Sequence, residues 1–465
     1  MAASKGIGRN IQVGVAKETT RGTAIASAAY WNPWMDLTLD EKKEFVTDAQ
    51  AYGVIEDSVN LTQVKKWAQG TISGNVSDQT FGLFLLSIFG TLTSHGAHGA
   101  EAAVYDNLFN VQESALHQSL TFFLHDPLSA ADYSYANGVV EKLELNFALK
   151  KFIEFTASIK AQSGASQSTF TPSTTTENRF VAQYLNAYFS PQYAGLEPVI
   201  TATGTASSTI HVTALSISTD KIKVGMTVVG ANIPAGTTVA TIVSDTAFDL
   251  SQATTSAGSD FTFSTLVATG TASSTIHVTA LTGITTAKLR VGMTVTGANI
   301  PAGATIVTIV STTAFYLSAA STGAVSNLSF GPAPVALKSA KLTINSNVED
   351  QEVLGNVAPA DFLNKEFAVE GTFECIWQNE TDAKTAFMGP TTQSLRFDIK
   401  NTDVTIGTHA NPELYFDMPK VTFTELGRSF KVKDLVYQTI KWRAVYSLTD
   451  TFMLRATLVN TVNGY

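Results

Sequence analysis

Seven histidines, one cysteine and a few adjacent carboxylates are the side chains of this sequence whose types could do chemistry. A metal site needs several ligands converging inside a rigid surround. His95 and His98 offer an H-x-x-H spacing, but SHGAHGAEA reads as a solvated loop of small residues with no further ligand in its pattern. His211 and His277 occupy the same place in two copies of one segment, which marks a module rather than a catalyst. Glu56 with Asp57, and Asp40 with Glu41, are sequence neighbours, and neighbours on an extended chain point to opposite faces. Neither pair is expected to converge as general acid and base. Cys375 alternates with Phe373 and Trp377 as a buried strand residue does, so it reads as a structural thiol. A lone cysteine excludes an internal disulfide framework and a cysteine-based zinc cluster. The phosphate loop GxxxxGK[ST], HExxH and GxSxG are absent, and Gly6-Ile-Gly8 is a fragment of a dinucleotide fingerprint with no strand before it. No catalytic, cofactor-binding or metal-binding residue is predicted, and no enzyme.

The elements that would carry any site belong to a long chain of low charge. Its 465 residues predict about three domains, and 44% apolar with 15% charged content is not the signature of disorder. Thirty basic against 39 acidic residues give a net charge of −9, so a sequence-independent grip on phosphate backbones is not expected. The start MAASKGIGRN contains no signal-peptide core, and the most apolar stretch, FGLFLLSIFG at 81–90, is too short to span a bilayer. A soluble protein is the expectation.

The middle of the chain is a tandem repeat. ATGTASSTIHVTAL at 202–215 returns unchanged at 268–281, and both copies continue into VGMTV (224–228 and 291–295) and GANIPAG (230–236 and 297–303). Short Val/Thr/Ile-rich runs broken by Gly, Pro and Asn predict two small β-sandwich modules, residues 198–265 and 266–332. From Pro198 to Pro332 only Asp220, Asp245, Asp249, Asp260, Lys221, Lys223, Lys288 and Arg290 are charged, so the insert is neutral. The flanks, 1–197 and 333–465, read as a divergent pair. Leu37-Thr-Leu39 matches Leu342-Thr-Ile344; Gln69-Gly70-Thr71-Ile72 matches Glu370-Gly371-Thr372-Phe373; Gln118-Ser-Leu-x-Phe122 matches Gln393-Ser-Leu-x-Phe397. A short helix is predicted in each arm, from a cap at Asp78 to Gly90 and from about Thr381 to Gly389. Both arms end in runs of period two, such as Leu143, Leu145, Phe147, Leu149 and Ile440, Trp442, Ala444, Tyr446.

GRNIQVGVAKETTRGTAI, KKWAQGTISGNVSDQTFGLFLLSIFG, NGVVEKLELNFALKKFIEFTASIKA, LKSAKLTINSNVEDQEVLGNVAPADFLNKEFAVEGTFECIW and ELYFDMPKVTFTEL together resemble the major tail tube protein of long-tailed bacteriophages. The repeat signature VGMTV…GANIPAG resembles immunoglobulin-like surface repeats of phage virion and bacterial surface proteins. The fold implied is mainly β: two tail-tube-type sandwich or barrel-forming units, each with one short helix, plus the two inserted modules. The resemblance implies a structural virion protein, assembled in the host cytoplasm into stacked rings that conduct the genome through the tail. It further implies a tape measure protein and tail terminator and tip proteins as partners, with DNA passing unbound and no cofactor or membrane. The polar residues that alternate with the apolar ones are then the lumen candidates: Lys142, Glu144, Asn146, Glu154, Thr156, Ser158, Glu370, Thr372 and Glu374. An ordinary solvated sheet face fits the same residues. A net-negative lining would repel phosphates and let DNA slide. Two units per chain suggest trimeric, pseudo-hexameric rings, with a hexamer as the alternative, and an insert dispensable for assembly. A capsid decoration or fibre-linked protein that uses its repeats on the host surface is the competing reading. A carbohydrate-active enzyme is the third, and it lacks converging carboxylates.

Overall fold

The computed structural model describes residues 7–55, 60–98, 100–129, 131–219, 222–376, 387–388, 392–430, 432 and 435–465. Alternation of the kind just described builds its central sheet. In Glu154–Ala161, for instance, Phe155, Ala157, Ile159 and Ala161 are buried while the residues between them keep contact with solvent. Among the described residues, eight of the 18 strands that hydrogen-bond into one network make this layer. The first arm supplies β1 (Asp36–Thr47), β2 (Leu61–Asn75), β3 (Asp132–Ala148) and β4 (Glu154–Ala161). The second supplies β5 (Leu337–Asn345), β6 (Ala368–Ile376), β7 (Glu413–Ser429) and β8 (Tyr437–Ala444). They lie in the order β1–β2–β4–β3–β5–β6–β8–β7, each antiparallel to the next. The fold is mainly β.

The two halves of this sheet repeat one another in detail. β3 and β7 each run 17 residues and serve two layers. Their first parts pair with outer strands, Leu120–His125 and Gln393–Lys400, and their last parts pair with β4 and β8. Each carries a β-bulge at the same point, after Val140 and after Phe423, and such bulges bend a strand. Gly70 and Gly371 are equivalent as well. A Cβ on either would fall against the neighbouring main chain, 1.9 Å from the Thr38 oxygen and 2.3 Å from that of Lys341. The glycines therefore allow the close approach, and the register pairs Leu39 with Gly70 and Leu342 with Gly371.

That register shifts two of the sequence matches. Leu39 corresponds to Leu342, two residues away from the Leu-Thr-Leu/Leu-Thr-Ile match. The outer strands shift likewise: Leu120 and Gln393 both stand before a bulge, opposite Gly138 and Val421. The insert also has a different place from the one expected. Gln12–Lys17 pairs with both Tyr30–Asn32 and Leu120–His125, and Leu185–Ser190 pairs in the same way with Ala333–Val335 and Gln393–Lys400. Leu185–Ser190 is thus the first strand of the second unit, and the insert fills that unit's first hairpin connection. A division at residue 197 falls after this strand rather than before it.

One continuous core lies between the layers and draws on both arms, with Phe147 stacked on Phe397 at 5.6 Å. The helix α1 (Phe81–Phe89) is buried on every side and ends at Gly90, whose φ of 90° suits glycine. Asp78 does not cap it. Its carboxylate accepts instead from the Asn178 amide and side chain at 2.9 and 2.7 Å, and Glu177 accepts from the Thr80 N–H at 3.1 Å. The second predicted helix lies outside the described residues except for 387–388. SHGAHGAEA is not one solvated loop, because Ser94, Ala97 and His98 belong to a strand that pairs with Glu101–Val111. Each inserted module has its own core, one around Phe248, Phe261 and Phe263 and the other around Phe315, Leu328 and Phe330.

Candidate assembly surfaces

The register places the nine lumen candidates on one face of the central sheet. Lys142 lies opposite Ser158, Glu144 opposite Thr156, and Asn146 opposite Glu154. Across the β3–β5–β6 seam, Glu144 and Glu370 flank Thr343, while Asn146 and Thr372 flank Lys341. Glu374 lies opposite Ser339. The residues between them point into the core. The face is mixed in sign rather than acidic. Glu144 receives Lys142 at 2.6 Å and Lys341 at 2.9 Å, and Lys338 reaches Glu374 at 3.3 Å. Burial would raise the Glu144 carboxyl, but the two lysines outweigh it and hold the group below its usual range.

Among the described residues the sheet has two open edges. β1 pairs only with β2, and most of its twelve residues are exposed. The last part of β7, Glu425–Ser429, has β8 on one side and no strand on the other among the described residues. In β3 the equivalent stretch, Lys142–Asn146, is covered on both sides, by β4 and by β5. A long open edge is a template for another strand. The β1–β2 hairpin also overhangs the sheet, since β4 joins β2 only from Ala68 onward. Phe45, Val46, Leu61, Val54 and Ile55 are exposed on or beside this overhang, and Phe430, Val432 and Leu435 are exposed at the β7–β8 turn.

Both modules dock on the body through an equivalent cation. Lys223 and Arg290 precede VGMTV by the same spacing. Lys223 lies 3.4 Å from both Glu197 oxygens and 5.2 Å from the Tyr415 ring centroid; Arg290 sits 5.0 Å over Phe189. Glu197 belongs in turn to a buried cluster around Arg396, which reaches Asp417 twice, at 2.5 and 2.9 Å, and Glu197 at 2.7 Å. Nearby on the Gln393–Lys400 strand, Asp398 is pushed up to about 8, by burial first and by Glu413 second, and its Oδ1 has no hydrogen-bond partner. A carboxyl raised above its unfolded value lends stability in full only below about pH 4, and loses it as the pH rises to 8. Asp398→Asn is expected to flatten that decline, gaining about 1–3 kcal/mol at pH 8.5 and little at pH 4 in urea titrations.

The residues singled out for chemistry are not gathered into one site. Asp40 takes Lys42 at 3.2 Å, while Glu41 accepts from the Gly164 amide at 2.6 Å on the other face. Glu56 and Asp57 lie outside the described residues, as does the His95 side chain. His98 meets Asp106 at 2.5 Å. His211 bonds Asp249 at 2.7 Å, whereas His277 lies against the Tyr316 ring that replaces that acid in the second repeat. Cys375 is buried, and burial with Glu374 pushes its thiol up to about 11, so it is inert at neutral pH. One grouping has no sequence signature. Glu101, Asp245 and His409 come from three distant segments, and their ligand atoms lie within 4.8 Å of one another. The only hint in the sequence is Asp245 itself, a rare charge in a neutral module.

No helix among the described residues is long and apolar enough to cross a membrane. No curated protein matches the chain. A family match falls on the first unit and stops within the strand that opens the second: residues 8–187 fit the family described as phage tail tube protein, so this part of the chain is similar to a structural component of phage tails.

Proposed function

We propose that the whole chain is a double tail tube subunit, and that three copies close a ring whose stacking makes the tube of a virion tail. The β3–β5 pairing carries this reading, because it joins the end of one unit to the start of the next inside a single chain. By the equivalences above, β1 corresponds to β5 and the open end of β7 to that of β3. The open edges of two chains should therefore pair as β3 pairs with β5. The transferred register sets Lys42 of one copy against Glu425 of the next, Thr38 against Ser429 and Leu37 against Phe430. Lys42 and Glu425 would attract, and Leu37 and Phe430 would pack.

Three copies of an eight-stranded sheet close about twenty-four strands, roughly 45–50 Å between opposite backbone walls at ordinary spacing and tilt. The nine polar residues would line that lumen. With lysines beside the acids, the wall offers DNA neither a cationic grip nor a uniformly acidic one. The overhanging hairpins, apolar at their tips, suit contacts between stacked rings. The insert would stand outside, since it leaves the outer layer through the Leu185–Ser190/Ala333–Val335 hairpin. Native mass spectrometry of isolated rings, with the averaged cross-section of tubes, tests the stoichiometry. Three copies are expected, and six would refute the fused ring while leaving the tube.

The hairpin position bears on the insert's role. Its entry and exit are adjacent, with Val199 against Gly331, so a short loop can replace what lies between. Deleting residues 198–332 with a Gly/Ser join is expected to leave tubes of the same lumen and a thinner wall. A folded product that makes no tubes would show that the docked modules take part in assembly.

A further inference from the structure

We infer that Glu101, Asp245 and His409 form a binding site for one divalent transition-metal ion, zinc or manganese, that fastens the first inserted module to the body of the subunit. Glu101 opens the strand Glu101–Val111, Asp245 lies in the turn between the module strands Val239–Ser244 and Ala247–Leu250, and His409 lies in the loop before β7. Two carboxylates and an imidazole thus meet within 4.8 Å although distant in sequence. Glu101 is 4% exposed. The main-chain amides of Thr408 and His409 hold its two oxygens at 2.9 and 2.7 Å, which orients the carboxylate as an outer shell orients a ligand.

Asp245 supplies an independent observation. Its Oδ1 is shielded from solvent and has no hydrogen-bond partner, although it stands beside a second carboxylate. An unmatched carboxylate oxygen next to a buried like charge is costly unless a cation lies between them. The turn itself does not require an acid. In the second repeat the same position is Thr312, and its main-chain oxygen accepts from Thr286 just as that of Asp245 accepts from Thr219. His409 Nδ1 now rests 3.2 Å from Glu101, and its ring is half exposed, open to an entering ion and to the water that would complete the coordination. Mixed imidazole and carboxylate donors favour zinc or manganese over calcium and magnesium, which take oxygen alone.

The test is calorimetric titration of the full-length chain with zinc or manganese chloride, with calcium chloride for comparison. One equivalent is expected to bind with a micromolar dissociation constant, with no comparable heat from calcium. Asp245→Asn and His409→Ala, both at solvent-accessible positions, should each weaken binding at least tenfold. The wild-type chain should also become slower to cleave by protease between the body and the first module when the ion is present, and D245N should not. Absence of binding up to millimolar metal would refute the site. Unchanged affinity in both variants would refute it equally, by assigning the ion to surface histidines elsewhere.

Discussion

Thr38→Cys combined with Ser429→Cys is expected to trap most of the protein as covalent rings of three under mild oxidation. Non-reducing gels should show two- and three-chain bands and nothing larger. The pair copies Lys341 and Asn146, which face one another across the junction already present within the chain. Directly opposed strand positions bring Cβ atoms to about 4.5–5.5 Å, close enough for a disulfide after a small adjustment. The Thr38 hydroxyl accepts from the Thr71 amide and shares a hydrogen bond with the Thr71 hydroxyl, both at 3.0 Å, a loss of about 1 kcal/mol that the monomer should tolerate. The control is Thr38→Cys with Arg428→Cys. A slip of one residue turns the second side chain to the other face, so no ring should form. A ladder reaching six chains would show that the register is right and the ring size wrong. A charge test uses the same edge: Lys42→Glu should weaken assembly, and adding Glu425→Lys should restore it.

Arg396→Leu is expected to cost about 3–5 kcal/mol, because it strands Asp417 and Glu197 without their shared partner. Arg396 and Asp417 are both nearly inaccessible to water. Lys223→Ala removes only the second partner of Glu197 and should cost far less. The cluster also gives the protein an acid limit. Burial would raise Glu197, yet the charges of Lys223 and Arg396 hold it at about 2. A depressed carboxyl lends its stability above the unfolded value near 4.3 and loses it as the pH falls toward 2, a change of about 3 kcal/mol. Chemical denaturation at pH 7 and pH 3 should show this slope in the wild type and a shallower one in the Arg396→Leu chain, where Lys223 alone remains beside Glu197.

Much of this was readable before any coordinates. Period-two runs name the buried faces of β3, β4 and β8, since alternation is a direct image of a half-buried strand, but they run past the strand ends to Leu149 and Tyr446, which are exposed. The same periodicity hides register. Shifting a match by two residues leaves every side chain on its proper face, so Leu37-Thr-Leu39 aligns as plausibly with Leu342-Thr-Ile344 as with its true counterpart. Only the glycines, fixed by a neighbouring carbonyl, break the tie. LNAYFS is too short and too ordinary to announce in the sequence that it pairs with the second arm, and its partners lie across a long insertion. Asp78 was misread because a cap depends on where the chain goes next, and Glu177 arrives from a hundred residues away. The Glu101 grouping left no trace for a related reason: none of its members shares a segment with another.

The seam between β3 and β5 also has a consequence for how the chain folds. It joins residues 142–148 to 339–345 across nearly the longest separation in the central sheet, a topology that ordinarily slows folding because chain entropy must be lost before any contact rewards it. Two modules with self-contained cores interrupt that span, and their combined entry and exit touch at Val199 and Gly331. Once they have folded, the residues between Ser190 and Ala333 act as a short link rather than a long tether. The seam then closes as though most of the intervening chain were absent. The folded modules would in this way leave the closing of the seam unhindered, and refolding of the shortened chain, with its loop of similar effective length, should be about as fast as that of the intact one.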